Sequence, residues 1–93
     1  MSPLSRLNPL FHQPVRTRLA VLLWREPQSF SELKSQLGLT DGNLDAHLRK
    51  LSAAGYLHSR MVTAGRPHTL YQLSESGTEA FEKYRTTLQL LLE

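Results

Sequence analysis

A mainly α fold with one small β-hairpin, in the order helix, helix, helix, hairpin, helix, is expected from three features of this 93-residue chain. Apolar residues recur at helical spacing in four windows. Between Gly55 and Ser74 that period gives way to alternation, the mark of half-buried strands. Pro14, Pro27, Gly38 and Gly55 stand at the joints between windows, where helices begin or stop.

The first helix follows two start signals, Asn8-Pro9 and then Pro14, because proline suits a first helical turn whose N–H is unpaired anyway. Val15, Leu19, Leu22 and Leu23 give it an apolar stripe, and Arg16, Thr17, Arg18 and Arg25 its polar side. Residues 1–7 show no period and are expected to fray. Pro27 ends the helix, and Gln28-Ser29-Phe30 forms an extended link. The second helix is short, with Leu33 and Leu37 inward. Ser31 is its expected N-cap, with a capping box of Ser29 and Glu32 as the competing start. Gly38 supplies the left-handed C-cap.

Leu39 packs inward and Thr40 caps the third helix, which carries Leu44, Leu48 and Leu51 and ends at Gly55. The joint Gly38-Leu39-Thr40 has the length of the turn in helix-turn-helix units. Tyr56, His58, Arg60 and Val62 then alternate with Leu57, Ser59 and Met61. Thr63-Ala64-Gly65-Arg66-Pro67 turns the chain, and His68 to Leu73 returns as the second strand. Ser74 and Glu75 open the last helix, residues 74–92, with Ala80, Phe81, Tyr84, Leu88 and Leu91 on one stripe. One domain over residues 1–93 accounts for the whole pattern.

Composition narrows the function. Hydrophobic residues make up 40% of the chain, enough for a core, yet no run approaches the ~18 consecutive apolar residues of a membrane span. Neither a secretory leader nor a membrane association is expected. The absence of cysteine removes disulfides, thiolate metal sites and cysteine nucleophiles, and fits a cytoplasmic location.

Eleven basic residues face eight acidic ones, for a net charge of +3. The distribution is uneven. Residues 1–18 hold Arg6, Arg16 and Arg18 and no acid, and residues 43–68 hold Arg49, Lys50, Arg60 and Arg66 against Asp45. Residues 74–93 are acidic on balance. A basic middle and an acidic end suit a face for a polyanion and a face turned away from it, although an ordinary mixed surface would read the same way.

The ordered set Phe30-Ser31-Glu32-Leu33-Lys34, Leu37-Gly38-Leu39-Thr40-Asp41-Gly42-Asn43-Leu44, His47-Leu48-Arg49-Lys50-Leu51 and Ala54-Gly55-Tyr56-Leu57 resembles winged-helix regulators of the MarR and ArsR kind. Gly65-Arg66-Pro67 and Tyr71-Gln72-Leu73-Ser74-Glu75-Ser76-Gly77 look like their wing and the start of their last helix. Asn8 to Arg16 is similar to the first helix of small stand-alone winged-helix DNA-binding domains of bacteria and archaea, so the likeness runs over about residues 8–92. It implies a winged helix-turn-helix fold and sequence-specific binding of double-stranded DNA. It also implies a transcriptional regulator, a repressor, acting as a homodimer in a prokaryotic cytoplasm without catalysis. The rival is a winged-helix module that docks an acidic protein partner.

Under that resemblance the third helix enters the major groove. With Leu44, Leu48 and Leu51 inward, Asn43, Ala46 and Arg49 are the expected base readers: Asn43 for adenine, Ala46 for a thymine methyl, Arg49 for guanine. Lys50 is expected on phosphate, Arg66 on the wing in a minor groove, and Thr40 and Arg60 complete the DNA-contacting set. Asp41 complements the helix dipole. Asp45 departs from the small hydroxyl residue of many relatives and is expected to pair with Arg49 four residues on.

The last helix also carries more apolar residues than one stripe needs. An interface between two copies is therefore expected from Phe81, Tyr84, Leu88, Leu91 and Leu92, with Leu10, Phe11 and Trp24 opposite.

His12, His47, His58 and His68 show no chelating spacing, so no metal or other cofactor is expected. His47 is expected as a half-buried packing residue with one hydrogen bond, while His58 and His68 could meet across the hairpin. No Gly-rich phosphate loop, G-x-S-x-G or His-Glu-x-x-His motif points to an enzyme.

Overall fold

A computed structural model describes residues 6–93. Its elements follow in the order α1 (Pro14–Arg25), β1 (Gln28–Ser29), α2 (Phe30–Leu37), α3 (Asp41–Ala53), β2 (Leu57–Val62), β3 (His68–Leu73) and α4 (Glu75–Leu92). Four helices and a small antiparallel sheet make the winged-helix architecture, as expected. The sheet gains a third strand that alternation could not reveal: the two residues of β1 pair with β3, giving the order β1-β3-β2. Tyr56, expected inside the hairpin, instead precedes β2 and serves the core.

Helix ends follow local chemistry. Pro14 opens α1 behind Gln13, whose side chain accepts from the Arg16 N–H. For α2 the capping box wins over Ser31: Ser29 Oγ accepts from the Glu32 N–H, and the Glu32 carboxylate accepts from the Ser29 N–H. Two orphan donors are satisfied this way, whereas Ser31 could satisfy only one. Gly38 takes φ 64°, the left-handed geometry that ends α2. Thr40 Oγ1 then accepts from the Asn43 N–H and starts α3.

The core gathers Leu19, Ala20, Leu23, Leu33, Leu44, Leu48, Leu51 and Leu73 with an aromatic cluster. In that cluster Phe11 stacks on Tyr56 at 5.3 Å and meets Phe81 edge-on at 5.3 Å. Here the expected interface between copies needs correction. Phe11, Phe81 and Tyr84 are 0%, 1% and 3% exposed within the single chain, so they close its own core. The turn Asn8–His12 folds Phe11 against α4, where it meets Phe81 and Tyr84 ring to ring. Leu10, Leu88 and Leu91 are half-buried, while Trp24, Leu90 and Leu92 are exposed.

Of the expected frayed stretch, residues 1–5 lie outside the described residues. Leu7 is buried against the core, because its side chain is apolar and the following turn brings it there. His58 and His68 do not meet: the ladder sets His58 opposite Gln72 and His68 opposite Val62. Among the described residues no group of three His, Asp or Glu side chains could hold a metal ion, and no helix is long and apolar enough to cross a membrane.

Candidate nucleic-acid interface

Leucines at 44, 48 and 51 pin one side of α3 to the core, which leaves Asn43, Ala46, Arg49 and Lys50 exposed on the other. The helix has two flanks. Asp45, Arg49 and Ser52 border the sheet, lining a hollow of about 180 Å³ with Leu57, Ser59 and Tyr71. Asn43, His47 and Lys50 lie three and four residues apart on the flank toward α1, where His47 touches Arg16.

Asp45 pairs with Arg49 as expected, Oδ2 to Nε at 2.8 Å. The pair is largely exposed and so contributes only ~0.3–0.5 kcal/mol to helix stability. Its consequence is geometric: Nε is held by the carboxylate, and the terminal guanidinium nitrogens remain for an acceptor beyond the helix. Asp41 is likewise paired, with Lys34 of α2 at 2.9 Å. That contact crosses the turn and ties the two helices of the unit together. No sequence spacing announced it, because the two residues belong to different helices.

The hairpin sorts its cations by register. Ser59 and Tyr71 are Cα partners and both line the hollow beside α3. Strand alternation then sets Arg60, opposite Leu70, on the reverse face of the ladder. Arg60 is exposed, but it does not share the surface of Arg49. Arg66 is exposed at the hairpin tip, and with Pro67 and His68 it borders a hollow shared with Ser29 and Ser31 at the start of α2.

The largest surprise is Arg16. Expected on the polar side of α1, it is 9% exposed and occupies the inward position ahead of Leu19, Ala20 and Leu23, while Val15 is only half-buried. Its Nε donates to the Leu10 carbonyl at 2.6 Å, and its Nη1 lies 3.2 Å from His47 Nδ1. The spacing of Arg16 to Leu19, Ala20 and Leu23 was the available signal; its residue type concealed it. His47 is half-buried with this one side-chain contact, as expected. Burial first, then the Arg16 and Lys50 charges, hold its pKa below the ordinary histidine value.

A family model for the winged helix DNA-binding domain matches residues 15–92. An uncharacterised protein of Methanocaldococcus jannaschii is 38% identical over 77 residues, spanning 81% of this chain and 84% of that protein. The structure of a transcriptional regulator homologue from Pyrococcus horikoshii OT3 superimposes with a TM-score of 0.89 at 29% identity, covering 99% of this chain and 95% of that one. A protein of Enterococcus faecalis V583 assigned to the MarR family of transcriptional regulators shares the fold, with a TM-score of 0.76 at 21% identity over 95% of this chain and 77% of that one.

Proposed function

The chain belongs to the winged-helix DNA-binding domain family, and on that footing we propose that it regulates transcription by binding specific sequences of double-stranded DNA as a homodimer. The observation that carries this reading is the outer face of α3. There Asn43, Ala46, Arg49 and Lys50 are all exposed, and both acids of the helix are neutralised by ion pairs. In the major groove Asn43 addresses adenine, Ala46 a thymine methyl and Arg49 guanine, while Lys50 meets phosphate. Arg66 enters the neighbouring minor groove, where negative potential is deepest. Thr40 remains the cap that sets the angle of α3, and Arg60 stands outside the reading surface.

The dimer reading now rests on a smaller set of residues. Leu90 and Leu92 at the end of α4 are 64% and 78% exposed, and Trp24 is 37% exposed. Leu10, Leu88 and Leu91 are half-buried. A second copy covering these side chains would remove apolar surface from water, and an isologous pair would set two α3 helices against half-sites ~34 Å apart. Repression by exclusion of polymerase, in a cytoplasmic setting, is the regulatory mode we propose by analogy with the family.

Fluorescence anisotropy with a selected duplex tests the DNA reading. Affinity should fall steeply with salt, each neutralised phosphate adding about −0.9 to the log–log slope. Absence of binding to any duplex at low salt would overturn it and leave the fold as a protein-interaction module.

A further inference from the structure

A guanidinium offers five N–H donors and no acceptor. The contact between Arg16 Nη1 and His47 Nδ1 at 3.2 Å therefore has one sense: arginine donates and Nδ1 accepts. Nδ1 carries no proton, and the neutral ring bears its single N–H on Nε2. Burial of the ring and the two cations around it, Arg16 from α1 and Lys50 from α3 itself, oppose a second proton.

Arg16 is itself immobilised. Its side chain is buried, and Nε is tied to the Leu10 carbonyl. The ring can neither exchange tautomers freely nor rotate without losing this bond. Nε2 has no hydrogen-bond acceptor among the described residues, and no buried side-chain nitrogen or oxygen among them lacks a partner, so Nε2 is not sealed from solvent. It emerges on the α3 flank shared with Asn43 and Lys50, four residues before and three residues after His47.

We propose that His47 donates its Nε2–H to a phosphate oxygen of bound DNA, and that buried Arg16 is the positioning residue that fixes the tautomer making this possible. The proposal rests on the DNA-binding reading above. A histidine that merely filled the gap between α1 and α3 could do so in either tautomer; the arginine selects the one with an outward donor. The contact also differs in kind from a lysine on phosphate. A neutral donor adds a hydrogen bond without releasing a counterion, so it contributes affinity without contributing to the salt slope.

Two measurements on the whole chain test this. In nitrogen NMR of the free protein, the His47 ring should show a protonated Nε2 and an unprotonated Nδ1. A duplex should shift the Nε2–H signal strongly and Nδ1 little. In anisotropy, His47→Leu should lose ~3–10-fold in affinity, the share of one neutral hydrogen bond, with an unchanged salt slope. His47→Gln, which keeps a donor at similar reach, should recover most of the loss. Lys50→Ala should instead make the slope shallower by about 0.9. Arg16→Met should mix the two tautomers of the ring, with NMR reporting whether the chain stays folded.

Unchanged affinity in His47→Leu, an Nε2–H indifferent to DNA, or a protonated Nδ1 in the wild type would each overturn the proposal. A wild type that binds no duplex at low salt overturns the DNA reading first, and this contact with it.

Discussion

Gly77→Ala, a substitution that ordinarily stabilises a helix, should destabilise this protein. Gly77 lies in the first turn of α4 and is buried. Its N–H donates to Ser74 Oγ at 3.0 Å, the Ser74 hydroxyl donates to the Gly55 carbonyl at 2.6 Å, and the Ser74 N–H donates to the Tyr56 carbonyl at 2.8 Å. The start of α4 is thus nested on the segment that leaves α3. A Cβ at position 77 would stand 2.9 Å from both the Cα and the carbonyl carbon of Tyr56, and nearer still to the oxygen. Carbon atoms pack at ~3.5–4.0 Å, so the two backbones would have to part by roughly 1 Å.

That shift strains two hydrogen bonds worth ~1 kcal/mol each. It also loosens the Tyr56 ring from Phe11, a pair worth ~0.5–1.5 kcal/mol. Alanine returns only ~0.5–1 kcal/mol of helix preference. A net loss of roughly 2 kcal/mol remains, which lowers the melting temperature of a chain this size by roughly 8–16 °C. Gly42→Ala on α3 is the internal control: nothing lies within 4 Å of its added Cβ, so it should gain up to ~1 kcal/mol. Urea unfolding at constant m-value reads both. A Gly77→Ala chain as stable as the wild type would refute the close-approach argument.

Asp45→Ala should raise affinity for duplex DNA, because it removes the carboxylate that shares the Arg49 charge; a clear loss in anisotropy would instead show that the pair with Arg49 orients a base contact. Arg49→Ala should cost ~1–3 kcal/mol on the preferred site and relax one base position, whereas Arg66→Ala should weaken sites with A·T-rich flanks most, as selection from a random duplex pool would reveal. Leu90→Asp with Leu92→Asp should yield a folded monomer by light scattering, since both side chains are exposed within one chain; a dimer that survives would move the interface elsewhere. Stability should fall as pH drops through about 6.5: His47 has a lowered pKa in the fold, so the unfolded chain takes up its proton first, and the melting temperature should fall less steeply toward acid pH in His47→Gln than in the wild type.

What the sequence disclosed and what it hid divide along a physical line. Most helix ends were legible because caps act within four residues: Thr40 on Asn43, Ser74 on Gly77 and Gly38 after Leu37 all depend on near neighbours, whereas at α2 two local caps competed and the Ser29–Glu32 box displaced the expected Ser31. The Asp45–Arg49 pair was legible for the same reason. Features joining distant segments were not. The strand at Gln28–Ser29 exists because β3 offers it an edge, and two residues carry no period of their own. The aromatics at 11, 81 and 84 formed one apolar surplus in the sequence, and helical spacing alone does not say whether such a surplus closes a core or joins two chains. Only the turn at Asn8, which brings Phe11 onto α4, decides it.

The same line revises the electrostatics. The basic opening segment loses Arg16 to the interior, and Arg49 shares its charge with Asp45. On the α3 face Lys50 keeps an unshared positive charge, and at the wing tip Arg66 does so too, since neither forms an ion pair among the described residues. With these two unshared charges a single copy would neutralise few phosphates of a bound duplex, and charge alone would hold it weakly. Tight binding by such a surface demands either neutral hydrogen bonds and base contacts, which add affinity without salt dependence, or a second copy. The two differ in a measurable way. Doubling the chain doubles the salt slope along with the contacts, whereas neutral contacts deepen affinity at a fixed slope. The slope measured for the intact protein and for the Leu90→Asp/Leu92→Asp variant thus apportions its affinity between dimerisation and readout.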